Sequence, residues 1–136
     1  MRTVRGFACE SESVTAARHF VREALRGQPL ESAELAELMT SELATNSVRH
    51  AHSKFEITIL LGQEIRVEVR DCGGGDPERL SPSPEDPSGR GLLIVESMAE
   101  QWGVRRSERG KTVWFTLPAS PARASGDSEP RPTLSR

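Results

Sequence analysis

Between Ser11 and Arg26 the apolar residues Val14, Ala17, Phe20, Val21, Ala24 and Leu25 recur at steps of three and four, the spacing of one helix face, with Ser11 or Ser13 available as N-cap. Gly27 and Pro29 end that helix. A second opens at Glu31-Ser32 and runs through about Arg49, with Leu35, Leu38, Met39 and Leu43 along one side. After His52 the period changes to two. Phe55, Ile57, Ile59 and Leu61 alternate with Glu56, Thr58 and Leu60, then Ile65, Val67 and Val69 with Arg66, Glu68 and Arg70, which predicts two strands. The Gly62-Gln63 link between them suits a type II′ hairpin turn, with glycine first.

From Cys72 to Gly89 the periodicity gives way to Gly73-Gly74-Gly75, Pro77, Pro82, Pro84 and Pro87, a loop of a length that is usually functional or disordered. A helix is predicted from about Leu92 to Gln101. A second hairpin follows, Gly103 to Arg106 and Thr112 to Leu117, turning through Arg109-Gly110, and Val4 to Ala8 can add an edge strand. This order predicts an α+β two-layer sandwich, with helices packed on one face of a mostly antiparallel mixed sheet. The domain spans 1–117. Residues 118–136, rich in Pro, Ser, Ala and Arg with almost no large apolar residue, are expected to be a disordered tail, because they cannot offset their ordering entropy.

Composition narrows the classes. At 136 residues, one domain with a real core is expected. No apolar run nears the roughly 20 residues that span a bilayer, and Met1 to Cys9 lacks the apolar core of a secretory signal, so a cytoplasmic protein without membrane contact is expected. A formal net charge of −2 offers no basic footprint for direct nucleic-acid binding. Cys9 and Cys72 have no metal-ligand spacing, and the histidines form no zinc motif.

Three features can carry chemistry. On the second helix Glu42 and Asn46 fall within the broad apolar stripe, one turn apart, with His50 a further turn on. A carboxylate and an amide oxygen so placed can hold a magnesium ion and polarise a hydroxyl; equally, they can lie at the stripe's edge and meet water. Asp71-Cys72-Gly73-Gly74-Gly75 ends a strand in an acceptor followed by glycines that let backbone approach a ring, or is a plain turn. Ser88-Gly89-Arg90-Gly91-Leu92 places glycines before a helix N-terminus, where phosphate is a natural guest and a hinge the simpler alternative. Gly110-Lys111-Thr112 ends like a phosphate-binding P-loop, but Arg105 stands at the required upstream glycine and a strand follows, so a P-loop is rejected. A dinucleotide fold is likewise disfavoured by the lack of Gly-x-Gly-x-x-Gly after a first strand.

Taken in order, Ser41 through Ala51 (SELATNSVRHA), Val69 through Gly75 (VRDCGGG), Gly89-Arg90-Gly91-Leu92 and Gly110 through Phe115 (GKTVWF) resemble the N, G1 and G2 boxes and closing strand of the GHKL ATPase superfamily. The chain is most similar there to small anti-sigma-factor serine/threonine kinases, over about Val4 to Leu117. The resemblance implies ATP and Mg2+ as cofactors. It implies Asn46 as the magnesium ligand, Asp71 as acceptor of the adenine amino group, and Gly73 and Gly75 as shapers of the adenine pocket. Gly89 and Gly91 fall against the phosphates within Ser88-Gly89-Arg90-Gly91-Leu92, and Thr112 supports adenine through water. Glu42 matches the general base and Arg18 a partner-binding position.

The partners so implied are a sigma factor and an antagonist (anti-anti-sigma) protein, and the assembly a homodimer. The alternative is a non-catalytic ATP-binding module that sequesters a transcription regulator. This chain departs from the pattern in Ser47 where Ala is usual, in Cys72 at the variable G1 position, and in a short, proline-rich 72–88 lid. With no phosphoacceptor histidine helix ahead of the ATP domain, a complete sensor histidine kinase is not expected.

Overall fold

The computed structural model describes residues 1–71 and 94–120. Five strands, β1 (Arg2–Phe7), β2 (Phe55–Leu61), β3 (Glu64–Asp71), β4 (Gln101–Ser107) and β5 (Gly110–Pro118), and two helices, α1 (Glu12–Ala24) and α2 (Leu30–Arg49), account for most of them. The strands form one sheet in the order β1-β2-β3-β5-β4. All four pairings are antiparallel, so among the described residues the sheet is not mixed.

Alternation settles which sheet face is buried. Ile57, Ile59, Ile65, Val67, Phe115 and Leu117 are almost wholly withdrawn from water, and they pack with Val21, Met39 and Leu43 of the helices in one core. Each such side chain contributes about 1.5–3 kcal/mol of burial free energy. The opposite face carries Arg66, Glu68, Arg70, Arg105 and Trp114; Arg66 Nε donates to Glu68 at 2.8 Å, and its guanidinium lies 4.2 Å from the Trp114 ring centre. A bidentate pair between Arg22 of α1 and Glu37 of α2, at 3.1 and 2.9 Å, ties the helices at the surface.

Local details differ from the sequence reading in four places. The β2–β3 connection is not a type II′ turn. A two-residue link would set Ile59 opposite Arg66, placing apolar side chains of one strand beside polar ones of the next. The register instead sets Leu61 opposite Ile65, Ile59 opposite Val67 and Ile57 opposite Val69, leaving Gly62 to Glu64 between the last paired positions. Gly62 lacks the positive φ that a type II′ turn needs at its first central residue. The second hairpin turns at Glu108-Arg109, with Ser107 opposite Gly110, whose φ of 143° favours glycine.

The helical segment 94–98 stops short of Gln101, which opens β4. Its predicted start at Leu92 lies outside the described residues. Ser11 occupies the N-cap position of α1 but has helical dihedrals and makes no capping bond, and Ser13 lies inside the helix. At the other end of the sheet, Ser32 Oγ donates to the Pro118 carbonyl at 2.7 Å and the Ser120 N–H to Gln28 Oε1 at 2.9 Å, which holds the end of β5 against the start of α2. Residues 121–136 of the expected tail lie outside the described residues.

Gly103 is required by a close approach. A Cβ there would lie 2.7 Å from Nε1 and 2.8 Å from Cε2 and Cζ2 of Trp114. Because the clash is with a rigid ring already engaged by Arg66, Gly103→Ala is expected to lower the unfolding free energy by about 1–3 kcal/mol. Urea titration with an unchanged m value checks this, and a wild-type midpoint would contradict it.

Candidate functional site

The site is built at one end of the sheet. Asp71 is the last residue of β3 and stands opposite Phe55, the first residue of β2. Only residues 50–54 separate Phe55 from the C-terminus of α2, so the last turns of α2 and the Asp71 end of β3 share an end of the molecule. This end is closely knit. Backbone N–H groups of His50 and Ala51 donate to the Asn46 carbonyl at 2.9 and 3.0 Å, and that of Ser53 to Ser47 at 3.0 Å. Phe7 stacks on Phe55 at 5.1 Å between ring centres and meets Phe20 of α1 edge-on at 5.9 Å, fixing β1 and α1 over the same end.

Asp71 continues the alternation of Val67 and Val69, so its carboxylate is directed to the helix-covered face, and the residue is 5% exposed. Its contact is specific. The ladder between β3 and β5 ends at Arg70 opposite Thr112. One residue further, Lys111 donates its backbone N–H to Asp71 Oδ1 and its ammonium to Oδ2, each at 3.3 Å. A charge-assisted pair so withdrawn from water fixes the orientation of the carboxylate.

Asn46 is 7% exposed on α2, and Glu42 is half-buried one turn earlier on the same wall. Thr45 and Ser47 spend their hydroxyls on the carbonyls of Ser41 and Leu43, at 2.8 and 3.3 Å, so they are committed to the helix itself. His50 lies one turn beyond Asn46, and its buried Nε2 has no hydrogen-bond partner among the described residues. Arg18 of α1 reaches across to α2, where Nη1 donates to Ser41 Oγ at 3.3 Å, beside Glu42. The Arg18 guanidinium is thereby held one residue along α2 from Glu42.

Thr112 is not brought to Asp71. Standing opposite Arg70 and Arg105, it belongs to the outer sheet face, because Lys111, Val113, Phe115 and Leu117 take the inner one. Lys111 meets Asp71 instead. The signal was present in the sequence: counting back by twos from Leu117 reaches position 111, not 112. The Ser41 contact of Arg18 had no such signal, since it depends on how two helices pack. Gly73, Gly75, Ser88, Gly89, Arg90, Gly91 and Leu92 lie outside the described residues.

The donor set fits a nucleotide with magnesium. A buried carboxylate at a strand end is suited to an exocyclic amino group, and Asn46 with Glu42 offers hard oxygen donors one helical turn apart. Among the described residues no cluster of three or more His, Cys, Asp or Glu forms a metal cage. Magnesium shared between one or two protein oxygens and phosphates needs none. Among the same residues, no helix is long and apolar enough to cross a membrane.

Comparison with known proteins agrees with this architecture. Residues 7–117 match the histidine kinase-like ATPase domain, and the chain belongs to that family. A curated relative, blue-light-activated histidine kinase 2 of Erythrobacter litoralis (strain HTCC2594), is 29% identical over 101 residues, which cover 68% of this chain and 29% of that protein. The chain thus spans less than a third of that relative's length. Among solved structures, the RsbU and RsbW domains of Rv1364c from Mycobacterium tuberculosis superpose with a TM-score of 0.69 at 16% identity, over 88% of this chain and 32% of that one. The Erythrobacter litoralis EL346 blue-light activated histidine kinase gives 0.52 at 22%, over 79% and 41%. Both likenesses are of fold: the α+β sandwich of the GHKL superfamily.

Proposed function

We infer that this domain binds ATP with magnesium and acts as a serine/threonine protein kinase on an antagonist protein, while holding a sigma factor in its other partner state. The observation that carries the nucleotide reading is the buried Asp71 carboxylate, fixed by Lys111 at the same end of the fold as Asn46 and Glu42. When bound, ATP supplies the phosphoryl group. Asp71 accepts from the base amino group, Asn46 supplies an oxygen to magnesium, and Gly73 and Gly75 are assigned to the base and Gly89 and Gly91 to the phosphates.

Glu42 takes the proton of the attacking serine or threonine hydroxyl. Its partial exposure, one helical turn before Asn46, supports this reading, since a partner's side chain could reach it. Arg18, anchored on Ser41, belongs to the surface that receives the partner. The likeness to the RsbU and RsbW domains supports a partner-switching role. In this reading residues 1–117 form the catalytic domain, 118–136 a tail, and the protein works as a cytoplasmic homodimer.

Incubation with γ-labelled ATP and candidate antagonist proteins tests the assignment. Label is expected on a serine or threonine of the antagonist. Binding of Mg-ATP without transfer to any candidate would leave a nucleotide-dependent sequestering module in place of a kinase.

A further inference from the structure

The ATP reading gives Asp71 one task, acceptance of a hydrogen bond from the base, and gives Lys111 none. Yet the structure joins Lys111 to Asp71 twice. Its backbone N–H and its ammonium each lie 3.3 Å from a different carboxylate oxygen, and the two side chains are 16% and 5% exposed. A carboxylate offers about four lone-pair sites and an ammonium three N–H groups, so a pair of this kind can take part in further hydrogen bonds. The base end of the site therefore presents a charged acceptor and a charged donor side by side.

That pairing has a chemical complement. The edge of a 6-aminopurine carries an exocyclic amino donor beside a ring nitrogen, N1, that accepts. A 6-oxopurine reverses both, setting an oxo group against the carboxylate and an N1–H against the ammonium. We propose that Lys111 is a specificity-determining residue that donates to N1 of the purine while Asp71 accepts from the 6-amino group, so that the two read adenine as a pair. The inference rests on the ATP reading above and adds a residue to it. It also accounts for the position of Lys111: the turn at Gly110 and the phase of β5 put position 111, and not Thr112, on the face that carries Asp71.

Titration calorimetry with ATP and with 1-deaza-ATP, in which N1 is replaced by C–H, tests the proposal on the wild-type protein. ATP is expected to bind about tenfold more tightly, the discrimination a single charge-assisted hydrogen bond supplies. Lys111→Met should bind ATP about tenfold more weakly and treat the two nucleotides alike within about twofold, and Lys111→Arg should restore part of the discrimination. Equal wild-type affinities for the two would overturn the proposal, as would a preference that persists undiminished in Lys111→Met. Tighter binding of both nucleotides by Lys111→Met would also overturn it, since Lys111 would then be blocking the base site. Failure of the wild-type protein to bind either nucleotide would instead overturn the ATP reading beneath it.

Discussion

Asp71→Asn is expected to weaken Mg-ATP binding about 100-fold, equivalent to about 2.7 kcal/mol. The amide keeps one acceptor oxygen but gives up the charge, and its NH2 group presents a donor where the base amino group needs an acceptor. Hydrogen bonds to charged groups contribute about 1.5–3 kcal/mol, and an unpaired buried partner adds to the loss. The substitution also leaves the Lys111 ammonium, 16% exposed, without its carboxylate, so the free protein should lose about 3 kcal/mol of stability as well. Calorimetry at a temperature where circular dichroism shows the variant folded separates the two effects. Wild-type affinity in a folded variant would remove Asp71 from the site.

Glu42→Ala should divide binding from transfer. The side chain is half-buried on α2 one turn before Asn46, so its loss leaves the base end of the site untouched, and ATP affinity is expected to stay within about threefold. Removing a general base commonly lowers a rate about 10²–10⁴-fold, so label on the antagonist should fall by that factor. Glu42→Gln, which keeps the shape and loses the base, should fall as far. Undiminished transfer in either variant would require a different proton acceptor. Unchanged transfer in Arg18→Ala alongside weakened partner binding would fit a docking role for Arg18, one step removed from chemistry.

Much of the architecture was legible from periodicity alone. The alternation that reads Phe55 to Leu61 and Ile65 to Val69 as strands also decides which side is covered, and α1 and α2 follow from three- and four-residue steps. What was misread was phase. The Gly62-Gln63 pair suggested a two-residue turn by residue type, although matching apolar faces across β2 and β3 demands the odd-numbered link that the register shows. Thr112, which the family resemblance implies as a support for adenine, stands on the outer face by the same alternation, and Lys111 on the face of Asp71.

Other features could not be read in advance because they are tertiary. The bond from Arg18 to Ser41, the stacking of Phe7 on Phe55 and the closeness of Gly103 to Trp114 depend on packing between elements distant in sequence. The roles proposed for Asn46 and Asp71 rest on the motifs as a set. Each residue alone had a bland reading, whereas the short connection from α2 to β2 and the pairing of Phe55 with Asp71 bring them to one end of the fold.

The central claim is that this end of the fold holds ATP through a buried carboxylate and a magnesium-coordinating amide. Calorimetric titration of the full chain with ATP, in excess magnesium and again in excess chelator, tests it most directly. One nucleotide per chain is expected to bind with magnesium, with affinity at least tenfold lower in chelator and sharply reduced by Asp71→Asn. Absence of binding under both conditions, or binding indifferent to Asp71, would contradict the account.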